Sequence, residues 1–164
     1  MAVVLALVSG VHGRGDISDA SLQFQLGTLL FDETRYREAL DAFRKAVNAD
    51  SKTIAVQARM GVVKSALRLG EFVEAQKEAN TLKKQEPRNP EVLAMHADAL
   101  WSAGLFDESA DEFKNALSLQ PDLSRGRHGM ARALASQNKL DDALNEAQAA
   151  LRLSPRDEEI HHTV

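Results

Sequence analysis

Three short stretches decide the architecture: KKQEP at 83–87, LSLQP at 117–121 and LRLSP at 151–155. Their prolines, Pro87, Pro121 and Pro155, stand 34 residues apart each time. A fixed period of this length marks an array of stacked units. Numbering each unit so that its proline is position 32 aligns the residues before it. Position 15 is then Gly70, Gly104 and Asn138, position 17 is Phe72, Phe106 and Leu140, and position 20 is Ala75, Ser109 and Ala143. An upstream copy, shifted by 36 residues, sets Gly27 at position 8, Tyr36 at 17, Ala39 at 20, Phe43 at 24 and Ala46 at 27, with Ser51 in place of the proline. Four units result, about 20–53, 54–89, 90–123 and 124–157, and residues 158–164 read as the start of a fifth.

Each unit reads as a helical pair. A first amphipathic helix ends near position 14, before a residue type that accepts the left-handed conformation past a helix end. Thr34 fills that place in the first unit without such ease. A second helix runs from about position 17 to 30, where proline stops it for lack of an N–H. Asn89-Pro90-Glu91 restarts the third unit as cap, first helical residue and a carboxylate at the positive helix end. Small residues at position 8 (Gly27, Ala97, Ala131) and position 20 let the paired axes approach to ~8 Å, with Val63 an exception at position 8.

Composition agrees. Of 164 residues, 25 are Ala and 21 Leu, aromatics are 5%, and cysteine is absent. Ala and Leu favour helix over strand. The missing cysteine excludes a disulfide scaffold, a thiolate metal site and a cysteine nucleophile. A net charge of -4 leaves no basic surplus for nucleic acid. By unit the charge alternates as 0, +3, -6 and +2.

Residues 2–11, AVVLALVSGV, are too few to cross a ~30 Å hydrocarbon core. Their length suits the apolar part of a secretory signal, which places the chain in the periplasm or envelope; read instead as an arm on the first helix, they leave it cytoplasmic. Residues 12–18 follow as a glycine-bearing linker. Arg14-Gly15-Asp16 within it is too short a match to an adhesion tripeptide to carry weight.

Leu26-Gly27, Tyr36, Ala39, Phe43 and Ala46 in the first unit, and Gly104, Phe106, Phe113, Ala116 and Pro121 in the third, resemble the tetratricopeptide repeat family over about residues 20–157. No unit has that family's tryptophan at position 4. The resemblance implies an all-α fold, a right-handed α-solenoid of antiparallel helix pairs. It also implies an inner groove lined by positions 2, 5, 9, 12 and 13 of the first helices. Carried onto this chain, the groove takes Phe24, Thr28 and Phe31, then Met60, Lys64 and Arg68, then Asp98 and Trp101, then Arg125, His128 and Arg132. Large apolar groups ringed by charge are how peptide grooves gain affinity. Trp101, the single tryptophan, is either an anchor for a partner or a packing residue between first helices. Lys64, Arg68, Arg125 and Arg132 favour an acidic protein or peptide partner. A branch of the family clamps C-terminal carboxylates with Lys and Asn, but Phe24, Thr28 and Lys64 stand at the places required, so that activity is not implied.

The residues bring no catalytic constellation. His161 and His162 would diverge by ~100° on a helix, no His-Glu-x-x-His pair or phosphate loop occurs, and Asp107-Glu108 and Asp141-Asp142 suit the starts of second helices. The sequence therefore predicts a non-catalytic interaction scaffold without cofactor or metal. The alternative is the docking array of a larger enzyme, such as a glycosyltransferase, that continues past Val164. Without a polar cap after the fourth unit, self-association through the C-terminal end is also expected.

Overall fold

The computed structural model of the protein describes residues 19–155. The apolar run at 2–11 and the fifth-unit start at 158–164 lie outside the described residues. Within them the order is α1 (Asp19–Asp32), α2 (Tyr36–Ala46), α3 (Lys52–Leu69), α4 (Phe72–Gln85), α5 (Pro90–Ser102), α6 (Phe106–Leu119), α7 (Ser124–Ser136) and α8 (Leu140–Leu153), with no strand among them. Each helix packs on the next, and the first helices α1, α3, α5 and α7 also touch in succession. The chain is a right-handed α-solenoid.

Second helices α4, α6 and α8 span positions 17 to 30, as the repeat predicts. The exception is α2, which stops at Ala46, three residues early. No proline follows it, a turn from the Ala49 N–H to the Ala46 carbonyl ends it, and α3 starts a full turn earlier in the repeat than α5 and α7, so that α3 rather than the connection takes up most of the added length. Ser51 and Asn89 cap α3 and α5 through their side-chain oxygens.

Position 15 is left-handed in all four units: Thr34 at φ 60, Gly70 at 72, Gly104 at 79 and Asn138 at 58. In each, the residue that follows closes the turn by donating its N–H to a carbonyl five residues back, as Arg35 does to Leu30 and Lys139 to Leu134. Thr34 thus holds a conformation that costs a β-branched residue about 1–2 kcal/mol.

The junctions between units rest on one recurring pair, position 24 of a second helix against position 6 of the next first helix. Phe43 lies between Gly27 and Gly61, where added Cβ atoms would come within 2.7 and 2.6 Å of the ring. Phe113 lies on Gly129, where a Cβ would stand 2.1 Å from the ring. At the middle junction the sizes reverse, with Ala79 and Met95 sharing one buried cluster. Gly27 is therefore small because of a ring rather than because of a close backbone crossing, which corrects the sequence expectation for that residue. In the third unit positions 8 and 20 do meet, and Ser109 Oγ donates to the Ala97 carbonyl at 2.8 Å.

A buried polar cluster joins the second and third units. The two nitrogens of His96 lie 3.0 Å from Glu112 Oε1 and 2.9 Å from Asn80 Oδ1, and Lys83 Nζ is 2.8 Å from Glu112. Burial, aided by the Lys83 charge, holds His96 below its ordinary pKa. Burial pushes Glu112 up, but the hydrogen bond and charge of Lys83 outweigh it and keep the carboxylate below its usual range.

Both the strained turn and the ring-on-glycine junction lead to stability predictions. Thr34→Gly should raise unfolding stability by about 0.5–1 kcal/mol, the released strain less the entropy of glycine; a loss in urea unfolding would refute it. Gly129→Ala should cost about 1–3 kcal/mol by overpacking, despite better helix propensity, and Phe113→Ala about 3–5 kcal/mol. The double variant Phe113→Ala/Gly129→Met copies the Ala79–Met95 pair. It should cost at least ~1 kcal/mol less than Phe113→Ala and Gly129→Met summed, and additive losses would show that the two positions are not paired.

Candidate functional site

Because α1, α3, α5 and α7 line one side of the stack, residues at equal positions in successive units fall beside one another. Opposite charges spaced one unit apart can then meet. Asp98 and Arg132, both at position 9 and 34 residues apart, do so with Arg132 Nη2 at 2.5 Å from the carboxylate. Glu91 and Arg125, both at position 2, stand 3.9 Å apart. Arg125 Nη1 also reaches Asp98 at 2.7 Å. Asp98 is thus the acceptor for two arginines, and its side chain is only 13% exposed. The alternation of charge from unit to unit is expressed here as ion pairs between the acidic third and basic fourth units.

Around this pair of bonds sits the tryptophan. Trp101 is half-buried, edge-on to Phe106 at 4.7 Å between ring centroids. The Arg132 guanidinium lies over the indole at 5.3 Å, within cation–π range. Arg132 Nε is buried without an acceptor. Trp101 therefore has packing partners on two sides and retains partial exposure.

The other residues expected to line a groove divide. Phe24 and Phe31 are half-buried and pack inward, Phe24 against Phe43 at 6.0 Å and Phe31 against Tyr36 at 5.1 Å. Met60 packs on the cluster around Val63 and Leu82. Thr28 is exposed and donates its hydroxyl to the Phe24 carbonyl at 3.0 Å. Arg68 is exposed and lies over the Tyr36 ring at 5.6 Å. His128 is half-buried on α7. The open aromatic floor expected in the first unit is largely part of the core, because the rings reach across to second-helix aromatics.

Lys64 on α3 is half-buried. Burial pushes its pKa down, and Arg125 adds repulsion, while Glu91 and Asp32 act on it only through space. Its ammonium is thus partly stripped of water. Sequence reasoning missed Asp98 as the anchor of the arginines, although opposite charges 34 residues apart at one repeat position were a visible signal. The Arg68–Tyr36 contact had no such signal, because it joins two different units through unlike positions. Among the described residues no group of His, Cys, Asp and Glu could hold a metal, and no helix is long and apolar enough to cross a membrane.

Comparison with known proteins bears on the repeat. The tetratricopeptide repeat profile matches residues 30–99 and 100–163. The chain belongs to the tetratricopeptide repeat family. The structure of TTC0263, a thermophilic tetratricopeptide repeat protein of Thermus thermophilus, is similar with a TM-score of 0.76 at 20% identity, over 88% of this chain and 78% of that one. Residues 41 to the end of MamA from Desulfovibrio magneticus RS-1 give 0.67 at 13% identity, over 85% and 78%. YrrB, a repeat protein of the same family with an unusual peptide-binding site, gives 0.63 at 18% identity, over 90% and 75%. No curated protein matches the chain significantly in sequence. These likenesses establish the tetratricopeptide fold.

Asp98→Ala should release both arginines and cost about 1.5–3 kcal/mol, the range for charge-assisted hydrogen bonds. As Trp101 is the only tryptophan, its fluorescence should change when Arg132 leaves the ring. Unchanged emission in a folded Asp98→Ala variant would refute the coupling of carboxylate, guanidinium and indole.

Proposed function

We propose that the protein is a non-catalytic scaffold that binds an extended acidic protein segment along the inner face of α3, α5 and α7. The observation that carries this reading is the pair of arginines that Asp98 holds on the first helices, Arg132 lying over the half-buried Trp101, with the half-buried Lys64 on the preceding first helix. A ligand carboxylate there would relieve the repulsion between Lys64 and Arg125 and restore a hydrogen-bond partner to the lysine. A charge-assisted bond of this kind contributes about 1.5–3 kcal/mol. Arg132 and the exposed part of Trp101 extend the site toward α7, where an apolar ligand side chain could lie against the indole edge. Arg125 and Arg132 are held by Asp98, so they are oriented before a ligand arrives and less side-chain entropy is lost on binding.

That YrrB has a peptide-binding site supports a peptide as the class of ligand. A docking array within a larger enzyme would use the same face, and differs only in what the array is joined to.

Peptides of matched length and acidic, neutral or basic composition, titrated while Trp101 fluorescence is followed, test the proposal. Acidic peptides should bind tightest, weaken as salt rises, and lose about tenfold in affinity with Lys64→Glu, or ~1.4 kcal/mol. Equal binding of basic peptides, or no effect of Lys64→Glu, would overturn it.

A further inference from the structure

A second period runs through the stack, twice as long as the first. The first and third units carry Phe43 and Phe113 at position 24, and the second and fourth carry Gly61 and Gly129 at position 6, where those rings lie. The second and fourth units also pair position 4 with position 23, Arg59 with Glu78 at 2.5 Å and Arg127 with Glu146 at 2.8 Å. The first and third hold Gln23 and Leu93 at position 4, so that ion pair cannot form there. Units one and two thus make one module, and units three and four a second.

Each module builds one aromatic site at the turn inside its leading unit. Position 12 meets position 17 there: Phe31 on Tyr36 at 5.1 Å between ring centroids in the first module, Trp101 on Phe106 at 4.7 Å in the second. In both, an arginine from the following unit lies over one of the rings. Arg68 stands 5.6 Å from the centre of Tyr36, and Arg132 stands 5.3 Å from that of Trp101. The arginines start from different repeat positions, 13 and 9, and reach equivalent places. Tyr36 and Trp101 are half-buried and Phe106 is 48% exposed. Each site therefore sets a cation beside a partly open apolar floor. A guanidinium has five N–H donors, so one that lies on a ring and meets one acceptor can still take a ligand carboxylate. Both sites lie at turns within units, a helix length of about 20 Å from Asp19 and Pro155, where the described chain begins and ends.

We propose that the two aromatic–arginine sites act as a pair and take one extended acidic segment with two apolar anchors, each beside a carboxylate. This rests on the reading of the first helices as a site for an acidic segment, and adds that binding is bivalent. The segment is acidic because each guanidinium comes from a unit of net positive charge, +3 and +2. It carries two anchors because the site occurs once in each module. The spacing follows from helix packing. Packed helices stand 8–10 Å apart, so α1 and α5, two steps along the row of first helices, are about 16–20 Å apart. An extended chain covers that distance in about five or six residues. Once one anchor is seated, the second binds at the effective concentration set by this spacer, which raises the affinity without any new contact.

Peptides of equal length and charge test this, with one leucine–glutamate anchor or with two set about two, five or ten residues apart, titrated against the full chain while Trp101 fluorescence is followed. The pair set about five apart should bind tightest, at least about tenfold tighter than the single anchor. Arg68→Glu alters the first site, while Trp101 belongs to the second. It should abolish that gain and leave the single-anchor signal unchanged. Arg68 is exposed, so circular dichroism should match the parent; Arg68→Ser is the second variant should Arg68→Glu fail to fold. Acidic peptides that bind equally well with one anchor or two, or a gain that survives the loss of Arg68, overturn the pairing and leave the acidic-segment reading standing. Acidic peptides that bind no better than basic ones overturn both. Peptide affinity that falls as protein concentration rises assigns this edge to a second copy and also overturns the proposal.

Discussion

The structure depends on how a side chain at position 24 meets position 6 of the following helix. A ring fits only where the facing residue is glycine, as Phe43 on Gly61 and Phe113 on Gly129, and an alanine leaves room for a long side chain, as Ala79 for Met95. Close-packed interiors tolerate neither a void nor a clash of even one methylene. Each junction therefore accepts its own neighbour and resists another, so the order and register of the units are set by volume. The overall sum of apolar residues would allow many other stackings.

Register in turn sets the side of the stack that the first helices form. Once successive first helices lie side by side, equal repeat positions become neighbours, and Asp98 comes within reach of Arg132 one unit later. A shift of one residue would turn these groups by ~100° around the helix and dissolve the cluster. The charge cluster on the first helices is thus a consequence of the core packing that sets their register. The electrostatics act locally within that frame, because exposed pairs contribute little stability while Asp98, mostly buried, holds two guanidinium groups in place.

Much of the fold was legible from residue types alone. Proline at position 32 and a left-handed residue at position 15 predicted three of four second helices to the residue. The early end of α2 was not, because it goes with an early start of α3, capped by Ser51, rather than with any stop signal. Thr34 shows the limit from the other side: the turn demands φ 60 and imposes it on a residue with no preference for it. Which residues of a first helix share one face was legible, since it follows from spacing. Which aromatics stay open on it was not, because Phe24 and Phe31 are claimed by Phe43 and Tyr36 from a different helix.

By itself the sequence determined the period, the helical pairs, the residues that share a face on each first helix, and the charge each unit brings. These follow from local backbone preferences and from the 3.6-residue turn, which a linear string records. Only the tertiary structure decided that Gly27 makes room for a ring, that Asp98 rather than solvent holds Arg125 and Arg132, and that Lys64 loses part of its water. Each of these depends on the distance between groups on separate helices, and that distance is set by side-chain volumes at the junctions rather than by any residue alone.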